Sequence, residues 1–183
     1  KTTTRRVIKP QPDAYAFWGI DDGKANFMVG KSGNGYCADF MEERKLPYQI
    51  GDILYVRETW RPINPKYPFI AGHNVDYAAD WSPAFFENSK KPTCCNGGKW
   101  CPSIHMPKEA ARIFLRVTNV HAERLQDITE EQAIAEGAKG RQDFIRIWES
   151  TVKKFEIDKY GWDANPWVWV IEFEGVDEPL EQS

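Results

Sequence analysis

A small α+β barrel is the fold the sequence predicts, on three observations. Several short segments rich in β-branched and aromatic residues are separated by turn signals. Two or three stretches carry helical periodicity. A late run, Trp167-Val168-Trp169-Val170-Ile171-Glu172-Phe173, is apolar on nearly both faces until Glu172, as a strand inside a closed sheet would be. The 183 residues read as one domain carrying a long insertion over 61–106 and an additional helix over 139–160.

The elements follow in order. Residues 1–12 are basic, then punctuated by Pro10 and Pro12, which gives an extended exit. Residues 14–20 are aromatic and strand-like; Asp21-Asp22-Gly23 signals a tight turn, and 26–29 return as a second strand. Ser32-Gly33-Asn34-Gly35 is loop, and the charged stretch 38–46 leads through Pro47 into a central strand over 51–60. Alternation puts Leu54, Val56, Glu58 and Trp60 on one face of that strand, with Ile53, Tyr55, Arg57 and Thr59 on the other. Residues 61–106 are irregular, with prolines at 62, 65, 68, 83, 92 and 102, and loops of such length are commonly functional. Pro107 opens a helical turn over 108–111, and 112–120 return to strand with Ile113, Leu115 and Val117 on one face.

Thr129-Glu130-Glu131-Gln132 is a capping box, with Thr129 as N-cap and Gly137 as the residue past the helix end. The next helix aligns Phe144, Ile147, Trp148, Thr151, Val152 and Phe155 on a face read as core. A Gly161-Trp162 loop and Pro166 then lead into the last strand.

Charge and cysteine usage narrow the function classes. A formal net charge of −3 argues against a binder of long polyanions and mildly favours a small substrate. Lys1, Arg5, Arg6 and Lys9 form a local basic cluster, either a solvated edge or a phosphate contact. No apolar run approaches the roughly 20 residues of a membrane span, and no secretory signal is visible. The sequence opens at Lys1, without Met and in mid-motif, so a preceding segment is expected. Cys37, Cys94, Cys95 and Cys101 do not form a disulfide framework, and reduced thiols in a cytoplasm are expected. Cys94, Cys95, Cys101 and His105 could be read as zinc ligands, but adjacent cysteines rarely chelate one ion well, so no metal and no cofactor are expected. His73 and His121 have no companions at ligand or triad spacing. No serine nucleophile motif, phosphate-binding Gly loop or dinucleotide fingerprint is found.

Glu58 is the residue that asks for a function. A carboxylate on an apolar strand face must be paired, protonated or used, because an isolated buried charge is costly. Lys1 and Thr4, three residues apart, could share a turn and meet at hydrogen-bond distance. Lys1 would then serve as a base beside the cations Arg5 and Arg6, while the apolar face makes Glu58 a general acid.

Five stretches together resemble an ASCH-domain protein, of the longer form common in phages and prophages. They are Lys1-Thr2-Thr3-Thr4-Arg5-Arg6; Gly51-Asp52-Ile53-Leu54-Tyr55-Val56-Arg57-Glu58-Thr59-Trp60; Trp100-Cys101-Pro102-Ser103-Ile104-His105-Met106-Pro107; Leu125-Gln126-Asp127-Ile128-Thr129-Glu130-Glu131; and Gly161-Trp162-Asp163-Ala164-Asn165-Pro166-Trp167-Val168-Trp169. The resemblance implies a PUA-like barrel associated with RNA and modified-nucleotide recognition, in a bacterial or phage-infected cytoplasm. One bacterial branch is an amidohydrolase of N4-acetylcytidine, and its Lys, Thr and Glu positions match Lys1, Thr4 and Glu58. In that reading Lys1 takes a proton from Thr4 or a water, the oxygen attacks the amide carbonyl, and Glu58 protonates the departing amine. Arg6 is a candidate oxyanion donor. Trp60, Trp100, Ser103 and His105, with Trp162 and Asn165, are expected to recognise the base by stacking and edge hydrogen bonds. The rival is a binding module without catalysis that grips RNA or single-stranded nucleic acid through the basic opening and the Trp-bearing loop. The oligomeric state is left open.

Overall fold

The computed structural model describes residues 1–29, 40–63, 74–80 and 100–177. The strands in chain order are β1 (Thr3–Val7), β2 (Ala16–Asp21), β3 (Lys24–Val29), β4 (Phe40–Lys45), β5 (Ile53–Tyr55), β6 (Trp60–Pro62), β7 (Val75–Tyr77), β8 (Phe114–Arg124) and β9 (Trp167–Val176). Helices α1 (Glu130–Ala135), α2 (Arg141–Thr151) and α3 (Ile157–Tyr160) fall between β8 and β9. The fold is α+β, as the sequence predicts, and its strands pair antiparallel. The chain forms two compact units, Lys1–Asp52 with Val117–Glu174, and Ile53–Arg116 with the segment from Gly175 onward.

In the first unit β9 runs between β1 and β8. Thr3 stands opposite Glu172, and Val7 opposite Val168. The two apolar faces of β9 have separate partners. Val168 and Val170 pack with Leu125, Ile128, Ala133, Phe144 and Trp148. Trp167 and Trp169 meet Phe27 of β3, with ring centroids 5.3 and 6.2 Å apart. A strand covered on both sides has no face to give to water, which is why its sequence does not alternate. Each such buried side chain contributes roughly 1.5–3 kcal/mol of transfer free energy.

Local signals set the rest of this unit. The β2–β3 hairpin turns at Asp22 and Gly23, both with positive φ, as the right-handed twist of a two-residue hairpin requires. At α1, Thr129 accepts from the Gln132 amide while the Gln132 side chain accepts from the Thr129 amide, so the capping box closes. The helix stops in a Schellman arrangement: Ala138 N–H donates to Ala133 O and Gly137 N–H to Ile134 O, with Gly137 at φ 89°.

The second unit departs most from the sequence reading. The expected strand over 51–60 is interrupted: β5 ends at Tyr55, and the chain resumes ladder pairing only at Trp60. β5 pairs with Phe114–Arg116, the opening residues of β8. Trp60 then pairs with Tyr77 and bridges to Cys101. Glu58 therefore lies between strands, and its shared face with Leu54 and Val56 is lost. The reason is tertiary: Trp60 is drawn into a core of Val75, Tyr77, Cys101, Met106, Ala110, Ala111 and Phe114. The stretch read as an irregular insertion thus carries β6 and β7 among its described residues.

The 139–160 helix also differs. Phe144 and Trp148 are buried, but Ile147 is exposed and Phe155 is 81% exposed. The helix ends at Thr151, and Lys154–Glu156 form a 3-10 turn, so Phe155 leaves the stripe on which helical spacing placed it. Among the described residues, no helix is long and apolar enough to cross a membrane.

Candidate functional site

In the first unit, alternation along β1 sends Thr3 and Arg5 to one face and Thr4 and Arg6 to the other. Arg5 faces α1, where its guanidinium reaches Glu136, and Lys1 lies beside the same helix, near Gly137 and the Glu136 carboxylate. The chain is extended here, with Thr2 O accepting from Phe173 N–H, instead of forming the turn that would bring Lys1 to Thr4. The two side chains thus fall on opposite faces of the strand. Lys1 is also exposed. Arg6 stacks over Tyr48, 5.5 Å from the ring centre.

Arg5 organises the strongest charge cluster of this unit. Its side chain is fully buried; Nε and Nη2 donate to Glu123 at 2.8 and 2.5 Å, and Nη1 donates to Glu136 at 2.7 Å. His121 stands 3.6 Å from Glu123 and 4.0 Å from Glu172. The two carboxylates of Arg5 respond in opposite directions. Burial pushes the Glu136 carboxyl up, and the bonds from Arg5 do not bring it back. Burial also raises Glu123, but hydrogen bonds from His121 and Arg5 outweigh it and leave that carboxyl below its ordinary range. Ligand and triad spacings find no companion for His121; its partners lie on the same strand two residues on and across the sheet on β9.

Trp162 and Asn165 have structural duties. Trp162 is half-buried, edge-on to Phe144, with Arg141 5.1 Å over its ring. Asn165, at φ 45°, accepts from the Gln126 amide at 2.9 Å and fixes the entry to β9.

In the second unit, the Glu58 side chain is 12% exposed and forms a bidentate ion pair with Arg112: Nε and Nη2 each donate at 2.9 Å. Arg112 also donates to Asp80 at 2.7 and 2.9 Å and lies 3.9 Å over the Tyr77 ring. Hydrogen bonds to Glu58 and then Asp80 hold its guanidinium above its ordinary value. Tyr77 is positioned in turn by donating to Ala110 O at 2.8 Å. The apolar strand face that was to make Glu58 an acid is replaced by a cation. Arg112 and Asp80 escaped the sequence reading because neither stands at a motif spacing from Glu58.

Trp60 and Trp100 are 3% and 4% exposed, so neither offers an open face for a base. Ser103 and His105 share a 3-10 turn, with Ser103 half-buried and His105 exposed. Cys101 is disulfide-bonded, which corrects the expectation of reduced thiols at this position and removes its thiolate as a metal ligand. Cys37, Cys94, Cys95 and His73 lie outside the described residues, and among the described residues no group of three or more metal-ligating side chains occurs.

No protein-family model, no curated protein and no solved structure matches this chain.

Proposed function

We propose that this protein is an ASCH-type, PUA-like domain that hydrolyses the amide of an acylated cytidine or a related modified base. The reading rests on the resemblance of the five sequence stretches. The observation that carries it is the setting of Glu58, a largely buried carboxylate fixed by two bonds from one guanidinium. In this reading the carboxylate, held in one orientation, passes a proton between the attacking water and the leaving nitrogen. As water oxygen bonds to the acyl carbon, Glu58 takes its proton; as the C–N bond breaks, it returns that proton to the departing base nitrogen. The products are a carboxylic acid and the free amine, and the ion-paired carboxylate is regenerated. Glu58 therefore begins as a base and then acts as an acid, whereas the strand face implied an acid alone.

The resemblance also matches Lys1 and Thr4, and single variants test each of them separately. The net charge of −3 favours a free nucleoside over a long polymer. The test is hydrolysis of N4-acetylcytidine by purified protein and by Lys1→Ala, Thr4→Val and Glu58→Gln. The Glu58→Gln variant is expected to lose about 10²–10⁴-fold in turnover, the usual contribution of a general acid–base group. Full activity in that variant would remove the proton-carrier role. Absence of turnover by the unaltered chain would leave the binding-module reading.

A further inference from the structure

The first unit contains a cleft of about 450 Å³ between β1 and the 148–160 segment, lined by Arg6, Lys9, Trp148, Lys153, Glu156 and Tyr160. Its size is that of a small-molecule site. Its charges are unequally used. Arg5 reaches one wall but is consumed by Glu123 and Glu136. Lys9 donates to Glu156 at 2.9 Å and lies 4.2 Å over the Tyr160 ring, so the one carboxylate in the lining is already occupied. Arg6 and Lys153 remain. Among the described residues neither forms a close ion pair: Arg6 lies over Tyr48, and Lys153 lies over Phe155, near enough to Glu156 for its charge to help lower that carboxyl. Val7, Val152 and Trp148 supply an apolar floor.

We propose that this cleft binds a phosphorylated small molecule of nucleotide size. Its phosphate sits between Arg6 and Lys153, and its body lies against Val7, Val152 and Trp148. Two cations with no close ion pair among the described residues match one phosphomonoester, which carries about two negative charges near neutral pH. Lys9 stays with Glu156 and shields the incoming phosphate from that carboxylate. A polymer fits the charge less well, because a chain of net charge −3 offers little to the phosphates that would extend beyond the cleft. The proposal goes beyond the hydrolase reading and stands without it.

Isothermal titration with cytidine 5′-monophosphate tests it on the full chain, with cytidine, inorganic phosphate and a ten-nucleotide oligocytidylate as comparisons. The expected result is binding of the monophosphate, weaker binding of inorganic phosphate, and none of cytidine. Arg6→Gln and Lys153→Gln should each weaken the monophosphate by roughly tenfold or more, as loss of a charge-assisted hydrogen bond does. Both residues are at the surface, and circular dichroism of each variant checks that the fold is kept. Equal binding of cytidine and its monophosphate overturns the proposal, as does unchanged affinity in a folded Lys153→Gln. Oligocytidylate binding much tighter than the monophosphate, with a salt slope beyond two phosphate contacts, also overturns it in favour of a strand-binding track. The hydrolase reading fails separately: Lys153→Gln should leave N4-acetylcytidine turnover unchanged, and Glu58→Gln should leave monophosphate binding unchanged.

Discussion

Replacing Arg5 by methionine isolates the most consequential polar feature of the first unit, because the substitution keeps an unbranched stem and deletes only the guanidinium. Three hydrogen bonds to two carboxylates disappear at a side chain with no exposure to solvent. Glu136, itself only 8% exposed, loses its hydrogen-bonded cation and keeps only the nearby charge of Lys1, and Glu123 keeps only His121. Breaking a buried pair by removing one partner typically costs about 3–5 kcal/mol, against a total stability of about 5–15 kcal/mol for a domain.

The pH dependence separates charge from packing. Glu136 is already raised in the folded protein, so its contribution to stability grows as pH falls through the raised value toward the ordinary carboxyl range. Glu123 is lowered, so its contribution is present above the ordinary range and is lost as pH falls through the folded value. Without Arg5, Glu136 moves further up and Glu123 loses one of the two partners that lower it. The deficit of Arg5→Met relative to the parent should therefore shrink on acidification. Urea denaturation followed by circular dichroism at about pH 7.5 and about pH 5.5 measures both quantities. A loss below about 1 kcal/mol, or a larger one that does not change with pH, would refute the electrostatic account and leave only packing of the Arg5 stem.

Two further outcomes are expected. Thr129→Ala should cost about 1 kcal/mol in the same assay, because the Gln132 amide loses its acceptor at the start of α1; no measurable change would mean that tertiary packing holds this short helix without its cap. Titration of the unfolded, unreduced protein should find fewer reactive thiols than the four cysteines of the sequence, because Cys101 is disulfide-bonded. A full complement of four would contradict that bond.

Features written in neighbouring residues were legible without coordinates. The Asp22-Gly23 turn, the Thr129 capping box, the Gly137 stop and the doubly apolar run of β9 each follow from a short-range rule: a φ sign, a reciprocal side-chain bond, or the absence of alternation. Helical spacing likewise found Phe144 and Trp148 in the core. Which charges meet depends on long-range packing. Arg5 finds Glu123 and Glu136 more than a hundred residues away, and Glu58 finds Arg112 across 54. The same packing decides that Trp60 and Trp100 are core, and that Phe155 is not. An ion pair is specified by where two backbones come to rest, and its sequence separation carries no period or motif. An aromatic ring meets the same entropy and transfer terms in a loop or a core until a neighbouring element covers it.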